Sequence, residues 1–406
     1  MDKQMLLGDE ALAQGAIDAG LSGCYAYPGT PSTEIMEFVQ KSKLASERNI
    51  HRSWSTNEKT AMEAALGMSY AGKKAMVCMK HVGLNVAADA FINSAITGVN
   101  GGLVITVADD PSMHSSQNEQ DSRFYGKFAM VPVMEPSNQQ EAYDMAYAAF
   151  SLSEKYKIPV LLRVTTRLSH SRSVVKLKPT LEMNDLHLPG NMKQFILLPS
   201  IAKNQYQGLI SSQVHFEQES EKSGFNNYFE GRDKTLGIIA CGLANNYLKE
   251  VYSEKSLQYP ILKITQYPLP LKMVQNIADE CDELLVLEEG YPFVEDMLTG
   301  VLDTKYTIHG RLNGTLPRDG ELNADLVGKA LGYEIPETRE IPVLVANRPP
   351  ALCPGCGHTD VFHAMNEALS EYGKGRVFSD IGCYTLGALS PLNAIDTCVD
   401  MGASVT

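Results

Sequence analysis

The chain has 406 residues, enough for two or three domains at roughly 150 residues each. Its 48 acidic and 35 basic residues leave a formal charge of −13 with no Lys/Arg-rich run to hold phosphate backbones, which argues against a nucleic-acid partner. No apolar stretch reaches the roughly 20 residues of a membrane span, because Asp89, Asn93 and Asn100 break the best one between Ala87 and Ala108, and the start at Met1 lacks a secretory pattern, so a cytoplasmic protein off the membrane is expected.

In chain order, Leu6 to Ala19 reads as an amphipathic helix and Cys24 to Tyr27 as a short strand stopped by Pro28-Gly29. Thr33 to Leu44 and Glu58 to Ala71 are helical, the second closed by Gly72. Ala75 to Met79 and Leu103 to Val107 are apolar enough for buried strands. Gln139 to Lys155 is a helix, and Pro159 to Val164 reads as the final strand of this block. Strands that alternate with helices predict an α/β fold with a parallel sheet covered on both faces. Ligands of such sheets sit at the carboxyl ends of strands, which puts Pro28-Gly29-Thr30 and Lys80-His81-Val82-Gly83 on the functional rim.

Residues 176–232 gather Pro, Asn, Ser and Glu and are expected to form a connecting segment with little regular structure. A smaller α/β block is predicted over 233–340, with strands at Leu236 to Cys241, Ile261 to Ile264 and Leu284 to Leu287. Its helices are placed at Asn245 to Ser253, Leu271 to Ala278 and Phe293 to Val301. Residues 341–352 form a proline-rich linker. The last block, 353–406, has one helix at His358 to Glu371 and one strand at Arg376 to Ser379 before the sequence stops.

Four segments carry chemistry. In Tyr27 to Thr33 two prolines stiffen a turn that can present the Thr30 hydroxyl and helix amides to an anion, although an ordinary strand–helix loop reads the same way. Glu58 opens a helix, where the dipole alone would already favour a carboxylate. Asp109 to Arg123 is a long polar loop after a strand, the kind that is more often functional than decorative. Cys353-Pro354-Gly355-Cys356-Gly357-His358 sets two thiolates at metal-binding spacing, with Cys383 as a third. A reduced knuckle whose glycines admit a ligand is the competing reading.

Together these segments resemble the indolepyruvate ferredoxin oxidoreductase large (alpha) subunits within the 2-oxoacid:ferredoxin oxidoreductase family. The motifs that carry the resemblance are Tyr27 to Ser32, Asn57-Glu58-Lys59, Asp109 to Arg123, Cys353 to His358, Asp380 to Tyr384, and Met401 to Ser404. It implies a thiamine-diphosphate-binding fold: a pyrimidine-binding domain over 1–175, a transketolase-C-like domain over 233–340 and the N-terminal part of a diphosphate-binding domain over 353–406.

The implied activity is oxidative decarboxylation of an aryl 2-oxoacid, indole-3-pyruvate, to an acyl-CoA with electrons passed to ferredoxin. Another 2-oxoacid, or a non-catalytic partner role, stays open. The implied partners are a smaller beta subunit, ferredoxin, coenzyme A and the 2-oxoacid. By this resemblance Glu58 is the catalytic carboxyl that contacts the aminopyrimidine ring and favours its imino tautomer. Thr30, His81 and Arg123 fall to the substrate, with Ser116 and Gln117 in the same rim segments. Pro28, Gly29, Asn85, Gly357, Asp380, Gly382 and Cys383 fall to the cofactor, and Cys353, Cys356 and Cys383 to a [4Fe–4S] cluster. The family's magnesium ligands and its ferredoxin-like module are expected beyond Thr406. The chain is therefore expected to be C-terminally truncated, and on its own to bind cofactor weakly and turn over nothing.

Overall fold

The computed structural model describes residues 3–116, 118–251, 258–299, 345, 351–373, 375–379 and 383–398. The chain opens with β1 (Lys3–Leu7), α1 (Gly8–Asp18), β2 (Gly23–Ala26), α2 (Thr33–Lys41), α3 (Lys43–Glu47) and β3 (His51–Trp54). Next come α4 (Glu58–Tyr70), β4 (Ala75–Lys80), α5 (His81–Thr97), β5 (Leu103–Asp109), α6 (Arg123–Ala129), β6 (Val133–Met134), α7 (Gln139–Tyr156), β7 (Val160–Thr165), α8 (Thr166–His170) and β8 (Arg172–Lys176). Strands β3, β2, β4, β5, β7 and β6 lie side by side and parallel, with Cys24 opposite Met76 and Met76 opposite Val104.

The parallel sheet follows from composition. Its central strands are apolar on both faces, which only a two-sided cover of helices can satisfy. On one face α4 and α5 bury Leu66, Leu84 and Phe91 against Val77 and Ile105. On the other, α1, α2 and α7 bury Leu12, Ile17, Ile35, Tyr143 and Phe150 against Met76 and Leu162. Each such side chain contributes roughly 1.5–3 kcal/mol by leaving water.

A separate two-stranded sheet was hidden by the amphipathic pattern. Leu6 and Leu7, expected to open the first helix, belong instead to β1, which pairs antiparallel with β8, so β7 does not end this block. Both strands expose most of their side chains, so neither carries an apolar run.

The connecting segment also differs from expectation. It contains α9 (Pro199–Lys222), a helix of 24 residues. Only Leu209, Phe216 and Ser220 of it are buried, and so narrow a stripe is submerged among Gln, Ser and Glu. Beyond it lie β9 (Asn227–Phe229), β10 (Leu236–Cys241), α10 (Ala244–Val251), β11 (Ile261–Ile264), β12 (Gln266–Tyr267), α11 (Leu271–Glu280), β13 (Glu283–Leu287) and α12 (Phe293–Thr299). Strands β13, β10, β11 and β9 make a second sheet, in which β9 is antiparallel. Strand β12, two residues after β11, leaves that sheet and pairs antiparallel with β6 of the first. The last described stretch holds α13 (Gly357–Tyr372), β14 (Phe378–Ser379) and β15 (Thr397–Cys398), around a small core of Phe362, Ala394, Ile395 and Cys398. It docks on the connecting segment, where the Leu197 N–H donates to the Cys398 carbonyl at 3.4 Å. No helix among the described residues is long and apolar enough to cross a membrane.

Candidate functional site

The carboxyl ends of β2, β4 and β5 share one rim, and three loops meet there. After β2 the chain turns at Pro28-Gly29-Thr30. The Ser32 hydroxyl and N–H both donate to the Gly29 carbonyl at 2.8 Å, and the Gly29 N–H donates to Thr33 Oγ1 at 3.1 Å. This lock leaves Thr30 exposed, and its hydroxyl takes no partner among the described residues.

Helix α4 starts beside this turn because Asn57 caps it, accepting from the Thr60 N–H at 2.9 Å. Glu58 is therefore the first helical residue. Its half-buried carboxylate lies across the first turn of α5 and takes no hydrogen bond or ion pair among the described residues. Gly83 makes the room: a Cβ there would stand 2.6 Å from both Cγ and Oε1 of Glu58.

His81, the first residue of α5, is 1% exposed, and neither ring nitrogen has a partner among the described residues. Burial, reinforced by Lys80, pushes its imidazolium pKa down against the pull of Asp110 and Glu119, which disfavours the charged ring. The Asp110–Ser116 loop arches over this corner. Asp110 accepts from the Ser115 N–H at 2.8 Å and from the hydroxyls of Ser116 and Thr166, each at 2.6 Å. Burial opposes ionisation of Asp110, but these donors outweigh it and hold the carboxyl well below the usual carboxylate range. Ser115 Oγ donates to the Thr30 carbonyl at 3.2 Å, and Lys80 Nζ to the Ser115 carbonyl at 2.7 Å, tying the arch to the other two loops. Asn85, one turn along α5, accepts from the Tyr125 hydroxyl at 2.5 Å.

Arg123 is placed elsewhere. It is fully buried in a charged network between the two sheets. Its guanidinium grips Asp121 at 2.9 Å, pairs with Glu288 at 2.9 Å, donates to the Tyr291 carbonyl at 3.0 Å and stacks 5.0 Å from the Phe293 ring centre. Arg163 is buried beside it, bound to Asp109 at 2.6 Å and to Glu135. Every donor of Arg123 is committed to the fold, so the expected substrate contact is replaced by a structural one. Sequence reasoning missed Arg163, although a lone arginine inside the apolar run Val160-Leu161-Leu162-Arg163-Val164 was the available signal.

The cysteine knuckle lies on the third stretch. Gly355 has φ +74°, the Cys356 N–H donates to the Cys353 carbonyl at 3.0 Å, and Cys356 Sγ stands 3.2 Å from His358 Nδ1. Gly357 begins α13. Asp380, Gly382, the Cys383 side chain and Gln117 lie outside the described residues. Among the described residues no group of three or more His, Cys, Asp or Glu side chains gathers to hold a metal.

An unpartnered carboxylate at a helix start, a glycine beside it and an open hydroxyl on the same rim suit the ring end of thiamine diphosphate. The family described as pyruvate flavodoxin/ferredoxin oxidoreductase, thiamine diphosphate-binding, matches residues 14–227, the stretch that builds this rim. Fold and site together define the class, a thiamine-diphosphate-binding oxidoreductase subunit. Over the whole chain it is 42% identical to indolepyruvate oxidoreductase subunit IorA of Archaeoglobus fulgidus and 38% identical to that of Methanothermobacter thermautotrophicus, covering 67% of each. The chain belongs to this indolepyruvate oxidoreductase subunit family, and it spans about two thirds of the length of these curated relatives. A solved 2-oxoglutarate:ferredoxin oxidoreductase from Magnetococcus marinus, with 2-oxoglutarate, coenzyme A and succinyl-CoA bound, shares the fold at TM-score 0.62. The two are 17% identical, and the match covers 75% of this chain and 61% of that one.

Proposed function

We propose that this chain is the thiamine-diphosphate-binding part of an enzyme that oxidatively decarboxylates an aryl 2-oxoacid, indole-3-pyruvate, to its acyl-CoA. Electrons pass to ferredoxin, and a smaller subunit completes the assembly. The observation that carries this reading is the free Glu58 carboxylate seated against Gly83. The relatives named for indolepyruvate support the substrate. Bound thiamine diphosphate supplies a nucleophilic carbon and an electron sink for decarboxylation. Glu58 holds a proton toward the ring nitrogen of that cofactor, and Gly83 keeps the carboxyl in place. Thr30 offers its hydroxyl to the substrate carboxylate, and the arch with His81 beneath it excludes water from that corner. Magnesium would neutralise the diphosphate, and the cysteines would suit an iron–sulfur cluster.

A substrate panel on the assembled enzyme, read by reduced acceptor, tests the substrate. Indole-3-pyruvate should give the highest kcat/KM. A preference for pyruvate or 2-oxoglutarate would exclude the aryl assignment.

Gly83→Ala tests the seat of Glu58 directly. The new methyl must displace either the carboxylate or the first turn of α5. A misplacement of roughly 1 Å costs about 10²-fold in rate. We expect kcat/KM to fall by about that factor while the thermal midpoint holds. Activity close to that of the parent enzyme would show that Glu58 does not work from this position.

A further inference from the structure

Helix α5 opens at the carboxyl end of β4 with His81, whose ring is buried while both of its nitrogens lack a partner among the described residues. Buried polar side chains are as a rule hydrogen-bonded, so this ring calls for a partner. Asp110 lies near enough to act on its charge, but spends its acceptors on Ser115, Ser116 and Thr166. Contacts on either side of His81 place it at the rim. A Cβ on Gly29, in the Thr30 turn, would stand 3.3 Å from Lys80 Cβ, and one on Gly83 would stand 2.6 Å from Glu58. His81 is thus set between the turn that presents Thr30 and the seat of Glu58.

The arch above the ring is the part of this corner that yields most readily. Ser112 and Met113 hold φ of +66° and +55°, the left-handed region that strains a residue with a side chain. The arch is tied to other loops, through Ser115 to Thr30 and Lys80 and through the Ser112 N–H to Glu119 at 2.8 Å. In either protonation state imidazole carries an N–H donor. A 2-oxoacid offers a carboxylate and, beside it, a keto oxygen that gains negative charge when its carbon is attacked. We propose that His81 is a catalytic residue that donates a ring N–H to the keto oxygen of the bound 2-oxoacid, while Thr30 takes the carboxylate. The proton stays on the ring, and the hydrogen bond strengthens as the oxygen gains charge. The assignment rests on the 2-oxoacid reading of the rim but not on the aryl group, since every 2-oxoacid has this oxygen.

The test uses the assembled oxidoreductase and the 2-oxoacid that it turns over best. His81→Leu should lower kcat by roughly 10²–10³-fold, the range for loss of one oxyanion donor, with KM for the oxoacid changed far less. Its thermal midpoint should rise, because two unpaired ring nitrogens leave the interior. His81→Gln keeps an N–H donor and should be the more active of the two variants by about tenfold. A ring that only fills the interior would give the reverse order, with leucine tolerated better than glutamine. A kcat in His81→Leu within about tenfold of the parent, a lowered midpoint in that variant, or a His81→Gln enzyme no more active than it would each overturn the assignment. A parent enzyme inactive on every 2-oxoacid is a separate result, and it would remove the reading of the rim and this assignment with it.

Discussion

Glu58→Gln in the assembled oxidoreductase is expected to lower turnover by roughly 10²–10⁴-fold, the usual contribution of a positioned general acid or base. The amide preserves the shape of the side chain and its fit against Gly83, so cofactor affinity and thermal stability should change little. What it removes is the exchangeable carboxyl proton. Asn57, not Glu58, caps α4, so the helix start does not depend on the charge. A further check is the balance of kinetic constants. Loss confined to kcat, with KM for the 2-oxoacid held, is the signature of an interaction made in the transition state. A fall of less than about tenfold would leave Glu58 with the helix-dipole role alone.

The second large effect concerns the network that joins the two sheets. Arg163→Met should destabilise the fold by about 3–5 kcal/mol, because it strands Asp109 and Glu135 as buried carboxylates without their cation. Burial already raises the Asp109 pKa to about 6, and loss of the guanidinium would raise it further. Arg163→Lys should fall between the two, since one ammonium cannot serve Asp109, Glu135 and the Glu289 carbonyl at 2.8 Å as the planar fork does. Urea unfolding measures the loss. A change below about 1 kcal/mol would mean that the network is solvated and the sheets are joined by their apolar contacts alone.

Both effects rest on contacts that differ greatly in how readable they were. The parallel sheet could be read from the strand runs Ala75 to Met79 and Leu103 to Val107 and from the helices between them. Alternation and apolar content are properties of consecutive residues, and the backbone hydrogen bonds of such strands and helices need only those residues and their like. Glu58 at a helix start and Thr30 on a rigid turn could be read for the same reason, since Asn57, Pro28 and Ser32 act within a few positions of them.

Elements that are stabilised by distant partners could not be read that way. Strand β1 is defined by its pairing with β8, far along the chain, and α9 by a stripe of two apolar residues that gains meaning only against α5 and α11. Strand β12 belongs to the first sheet although it follows directly from the second, because β6 offers it an open edge. Arg123 shows the point most plainly. In sequence it closes a polar loop that reads as a binding segment, and its neighbours Asp121 and Ser122 do not say which way it faces. Glu288 and Tyr291, more than 160 residues later, turn it inward. Sequence alone determined the class of fold and the two local features of the rim. Tertiary structure decided which charges face a ligand and which face each other, because that choice depends on whether a counter-charge from elsewhere in the chain meets the side chain out of water.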